Sequence, residues 1–145
     1  MHKFTGQDTQ VSKTLHKHSY EVYVTKRNEN CEFQPFGRNI DLWMLSYCVA
    51  IKLQLKPKPV ESPTVNAIPA TAWSNNETLE RIVKLTLINN IDEEDVIDKL
   101  DDMHKLANEY SAAGMSYILE KIKDDPEMTP LQNILETARN LINEK

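Results

Sequence analysis

Four prolines, Pro57, Pro59, Pro63 and Pro69, fall between Lys56 and Trp73. Proline lacks the amide donor that a helix needs and pushes the residue before it into an extended conformation. No helix can run on through these prolines, and Pro63 and Pro69 keep the connection extended, so it either wraps over the surface as an ordered strap or separates two subdomains. The chain has 145 residues, a length that normally makes one domain and buries roughly 68–70% of its unfolded surface. Within that one domain we read three parts: residues 1–55, the strap 56–73, and residues 74–145.

The two flanking parts differ in charge. Residues 1–60 carry nine Lys or Arg against five Asp or Glu, a balance of +4, whereas residues 61–145 carry eight against seventeen, a balance of −9. Two surfaces of opposite sign imply two kinds of contact. Two cysteines, Cys31 and Cys48, are too few for a disulfide framework, and Cys48 lies in an apolar run where a thiol behaves as a small buried hydrophobe. The polar start of the chain lacks the apolar core of a signal peptide, and the apolar run from Leu42 to Ile51 is too short to span a bilayer. These features point to a soluble cytoplasmic protein.

Residues 1–19 show no clear period and read as a loose basic arm. The β-branched and aromatic run Tyr20-Glu21-Val22-Tyr23-Val24-Thr25, the turn-like residues Lys26 to Asn30 and then Cys31-Glu32-Phe33 are compatible with a short β-hairpin. Asn39 and Asp41 suit a helix start. Apolar residues from Ile40 to Leu55 cover most of a helical circumference, which predicts a central buried helix ending near Lys56. Beyond the strap, Ser74 and Glu77 have the spacing of a capping box. Leu79, Ile82, Val83, Leu85, Leu87 and Ile88 supply the apolar stripe of the helix that follows.

Asp92 to Asp95 suit the positive start of another helix. Val96, Leu100, Met103, Ala107, Tyr110 and Ile118 recur along it to about Lys123, and Gly114 falls on the same stripe. A glycine there either admits a neighbouring backbone or breaks the helix; we expect continuity. Thr129-Pro130 then caps and opens a last amphipathic helix with Leu131, Ile134, Leu135, Ala138, Leu141 and Ile142 on one face. The fold class is mainly α, a small helical bundle that accommodates a short N-terminal β-hairpin.

Chemistry-bearing residues are sparse. His16 and His18 could share a zinc ion, but Lys17 lies between them and no second pair closes the site. The acidic residues Asp92, Glu93, Glu94, Asp95, Asp98, Asp101 and Asp102 lie on a helix rather than in a glycine-containing calcium loop, and helix-start charge accounts for them. Cys48 has no base beside it, His104 has no orienting context in sequence, and three scattered glycines exclude a phosphate loop. We therefore expect no catalytic residues, no metal and no cofactor. Lys13, Lys17, Lys26 and Arg27, with Tyr20 and Tyr23 available to stack, are candidate nucleic-acid contacts.

The stretch Phe33-Gln34-Pro35-Phe36-Gly37-Arg38-Asn39-Ile40-Asp41-Leu42-Trp43-Met44-Leu45 leads an aromatic-proline approach and a basic residue into the buried helix. It resembles segments of small accessory proteins in prokaryotic antiphage operons, including those that accompany DNA phosphorothioation systems. The resemblance carries no catalytic motif and implies an accessory role beside DNA-processing enzymes. Together these features lead us to expect a non-catalytic accessory or adaptor protein with a larger protein partner. Arg38 on one side, or Asp95, Asp98 and Asp102 on the other, would make the contact. The alternatives are direct nucleic-acid binding through the basic residues, self-association through surplus apolar surface on the Ile40–Leu55 helix, and, with least support, a hydrolase using the acidic cluster.

Overall fold

The computed structural model describes residues 8–24, 38–90, 103–121, 127 and 130–143. In chain order these form β1 (Thr9–Ser12), α1 (Lys13–His18), α2 (Tyr20–Tyr23), α3 (Asn39–Lys52), β2 (Thr64–Ile68), α4 (Ala70–Ser74), α5 (Glu77–Asn90), α6 (Met103–Lys121) and α7 (Pro130–Asn143). The described residues are mainly helical, as the sequence pattern indicates, and include one antiparallel strand pair. Among the described residues, no helix is long and apolar enough to cross a membrane.

The core is built on α3 lying against α6. Leu42, Trp43, Ser46, Tyr47, Val49 and Ala50 of α3 are buried, as are Met103, Leu106, Ala107, Tyr110, Gly114, Met115 and Ile118 of α6. Gly114 lets the two helices meet backbone to backbone. A Cβ at that position would run into the Ser46 carbonyl oxygen and come within 3.3 Å of the Ala50 amide nitrogen. The helix nevertheless continues unbroken to Lys121. Both expectations for this glycine, close approach and helix continuity, are therefore met.

α3 ends a few residues before the first proline. Gln54 has a φ of 55°, its amide donates to the Ile51 carbonyl at 3.3 Å, and the Leu55 amide donates to the Ala50 carbonyl at 2.9 Å. This pair of bonds is the Schellman arrangement, with glutamine where glycine is usual.

The strap that follows is ordered against α6. The Lys58 amide donates to the Glu109 carbonyl at 3.0 Å, and Lys58 Nζ donates to Ser116 Oγ at 3.1 Å. The strap then contributes β2, which pairs with β1, and α4, which buries Trp73. The Asp8 carboxylate accepts from the Ala70 amide at 2.8 Å, an anion at the start of α4 supplied from the far end of the sequence.

Several local expectations are corrected. The arm is not loose from Asp8 onward: Thr9–Ser12 is a strand and Lys13–His18 a helix, begun where the Leu15 amide donates to Ser12 Oγ at 3.4 Å. The strand pair uses Thr9–Ser12 and the strap, while Tyr20–Tyr23 is helical. The rest of the expected hairpin, from Thr25 to Phe33, lies outside the described residues. Tyr20 and Tyr23 are both buried, and a spacing of three puts them on one side of a helical turn, whereas in a strand they would face opposite ways. Burial of two rings overrides the β preference of the run.

Asn39 is not the cap of α3, because its Nδ2 donates to the Ala67 carbonyl at 2.6 Å and so ties α3 to β2. Ser74 closes α4, with its hydroxyl donating back to the Ala70 carbonyl at 3.5 Å, so it does not open α5. Cys48 is on the exposed side of α3, and partial desolvation holds its thiol above its ordinary pKa. The helix expected to begin at Asp92 is described from Met103.

Candidate functional site

Two aromatic residues far apart in sequence anchor a buried polar network. The Trp43 ring stacks on Tyr47 with centroids 5.6 Å apart and meets Trp73 edge to face at 5.1 Å. Trp73 in turn lies edge to face with His104 at 6.2 Å. Each indole has one N–H that must find a partner once water is excluded. Trp43 Nε1 donates to Asn108 Oδ1 at 2.9 Å, and Trp73 Nε1 donates to Thr9 Oγ1 at 2.9 Å.

Thr9 is fully buried and lies 2.8 Å from His104 Nε2. An indole N–H can only donate, so the Thr9 oxygen accepts from Trp73. The threonine proton is satisfied if it goes to His104 Nε2, and we assign the neutral imidazole with its own proton on Nδ1. Protonation would reverse this bond and leave the threonine proton without an acceptor among the described residues. Burial acts in the same direction. It lowers the His104 pKa below 6.5, against an opposing pull from the Glu80 carboxylate. Glu80 is itself buried on α5, with Lys84 Nζ one turn along at 3.9 Å.

A hydroxyl, an imidazole and a nearby carboxylate are the parts of a nucleophilic site. Here the hydroxyl is closed off from solvent, and its oxygen already accepts from an indole. In this arrangement no substrate atom reaches Thr9. The network's evident work is to fasten β1 and α4 to α6, which Asn108 reinforces by donating from Nδ2 to the Gln10 carbonyl at 2.7 Å. Sequence reasoning missed Thr9, Trp73 and Asn108 as a set. Their partners lie 64 to 98 residues away, and no local pattern encodes such a separation.

Groups that reach the surface are elsewhere. The expected apolar stripe of α5 divides in two. Val83 and Leu87 are fully buried, and Tyr47 spans to this inner side, its hydroxyl donating to the Val83 carbonyl at 3.1 Å and lying 2.8 Å from Thr86 Oγ1. Burial pushes the Tyr47 phenol up to about 12. Ile82, Leu85 and Ile88 run along the outer side with 44%, 68% and 41% of their surface exposed. Leu135 of α7, expected in a buried stripe, is also exposed.

Arg38 precedes α3 and is exposed. Its fork grips Asp41, with Nε to Oδ2 at 3.0 Å and Nη2 to Oδ1 at 2.7 Å, while Nη1 donates to Asn76 Oδ1 at 3.0 Å. The guanidinium is thus already paired within the chain. Lys13 and Lys17 are exposed one turn apart on α1. His16 and His18 lie on that same helix, and His16 stacks on Tyr20 at 5.6 Å. Lys26, Arg27, Asp95, Asp98 and Asp102 lie outside the described residues, as does Cys31. Among the described residues, no three His, Cys, Asp or Glu side chains converge in a way that could hold a metal ion. No family model, curated protein or solved structure matches the chain.

Proposed function

We propose that this chain is a non-catalytic accessory or adaptor protein that works in the cytoplasm inside a complex with a larger protein. The observation that carries it is the outer side of α5. A helix that already buries Val83 and Leu87 against the core gains nothing in solution from also displaying Ile82, Leu85 and Ile88. Apolar residues displayed in a row are a common basis for partner binding. Asp95, Asp98 and Asp102 are the charged candidates for contact with the partner, with Arg38 as the alternative point of attachment. A role in prokaryotic defence against foreign DNA rests on the resemblance carried by Phe33 to Leu45.

The test is affinity capture from the native cell after nuclease treatment, comparing the wild-type chain with Leu85→Glu and Ile82→Glu. A protein recovered in stoichiometric amount with wild type and lost with both variants, while their unfolding midpoints are unchanged, is the expected result. Equal recovery with all three chains overturns the use of α5. Charge reversal at Asp98 and Asp102 that leaves recovery intact removes the acidic residues from the contact.

Direct nucleic-acid binding is the second reading, favoured by the exposed, same-sided placement of Lys13 and Lys17 on α1. It requires DNA binding that weakens steeply with salt and falls further when Lys13, Lys17, Lys26 and Arg27 are neutralised. An absence of binding at low salt removes it.

A further inference from the structure

Between β1, α1, the strap and α6 lies a cleft of about 140 Å³. Its walls are apolar, formed chiefly by Val11, Leu15, Val60, Ala112 and Leu119. An apolar cavity of about 150 Å³ accepts one benzene-sized molecule in other proteins, which sets the size of an occupant here. Asn108 also lines the cleft and is only 7% exposed. Its primary amide offers two N–H donors and two acceptor lone pairs. One donor goes to the Gln10 carbonyl and one lone pair accepts from Trp43. The second N–H meets no protein acceptor among the described residues, and a buried donor left unmet is costly.

The rim supplies charge. Lys58 is fixed there by its backbone bond to Glu109 and its ammonium bond to Ser116. His18 of α1 and Glu61 of the strap also line the cleft. Two donors, the Asn108 amide and the Lys58 ammonium, favour an oxygen anion at the end of an apolar body, while Glu61 disfavours a second negative group on the same molecule. The geometry points to a binding site for a small aromatic or branched aliphatic monocarboxylate, with its hydrocarbon part against Val11, Leu15, Val60 and Leu119 and its carboxylate toward the Lys58 ammonium at the rim. This site is independent of the outer side of α5.

The test is a titration of the full chain at pH 7, followed by amide chemical shifts, with benzoate as the probe and benzyl alcohol and benzylammonium as comparisons. Benzoate at millimolar concentration should shift the amides of Val11, Leu15, Val60 and Ala112, with benzyl alcohol weaker and benzylammonium weakest. Ala112→Leu fills the cleft without removing a polar partner and should abolish these shifts. Lys58→Gln is at an exposed position and keeps the test open if Ala112→Leu does not fold; it should weaken benzoate roughly two- to fivefold, the worth of one exposed charge contact. The site is overturned if benzoate shifts no amides or shifts them elsewhere. Equal binding of benzylammonium overturns it too, as does an unchanged benzoate response in a folded Ala112→Leu or in Lys58→Gln.

Discussion

α5 and α6 are both apolar helices of the same small protein, yet they use their apolar residues differently. α6 buries side chains around much of its circumference, from Met103 and Leu106 to Met115 and Ile118, and at Gly114 it gives up a side chain altogether so that α3 can touch it. α5 buries Val83 and Leu87 and leaves Ile82, Leu85 and Ile88 in water. Residues that serve the fold are those whose volume or hydrogen bonds cannot change without moving a neighbour. Apolar residues that can change freely are available for a partner.

That contrast is sharpest at Gly114. Gly114→Ala should gain roughly 1 kcal/mol of helix propensity yet lose about 3 kcal/mol or more overall, because the added methyl collides with the Ser46 backbone, which cannot rotate away. Denaturant unfolding checks it; a variant as stable as wild type would separate α3 from α6 and break the comparison. Trp43→Phe keeps most of the ring but removes the N–H that satisfies buried Asn108 Oδ1. A loss of about 2 kcal/mol is expected from the same measurement.

His104 gives α6 a pH dependence that the outer side of α5 lacks. Its folded-state pKa is held below 6.5, chiefly by burial, so the unfolded chain takes up the proton first as pH falls. The stability it contributes is full above about pH 6.5 and declines as the pH drops below that value toward the folded pKa. His104→Gln should flatten the difference in unfolding free energy between pH 7.5 and pH 5.5 relative to wild type. An identical slope in both proteins would show that the imidazole is not held neutral.

Gln54 is the converse of Gly114, a side chain where the backbone favours glycine. Its positive φ closes α3, so Gln54→Gly should stabilise by about 0.5–1 kcal/mol in thermal unfolding. Destabilisation would mean that the glutamine side chain contributes more than its backbone strain costs.

These same elements show what a sequence can convey. The periodicity of α3 and α6, the stop before the prolines and the glycine on the α6 stripe are local features and were legible. The pairing of Thr9–Ser12 with Thr64–Ile68 was not, because a four-residue strand carries too little pattern and its partner lies beyond α1, α2 and α3. Tyr20–Tyr23 read as a strand because its residues favour one, and only the shared burial of the two rings reveals the turn of helix. The Thr9, Trp73 and His104 network joins three elements whose proximity exists only after folding. The division of α5 was hidden for a related reason. Six apolar residues in one helix read as a single stripe until α6 and the Tyr47 side chain of α3, on one side, show which of them are used.

The most direct measurement is the pair of properties that Leu85→Glu should dissociate: its unfolding midpoint, and the recovery of a nuclease-resistant protein partner from the native cell. An unchanged midpoint, within about 0.5 kcal/mol of wild type, together with loss of the partner, is the expected outcome. A variant that is equally stable and still recovers the partner would contradict the assignment of the outer side of α5 to partner binding. A variant that unfolds would show that Leu85 serves the fold after all.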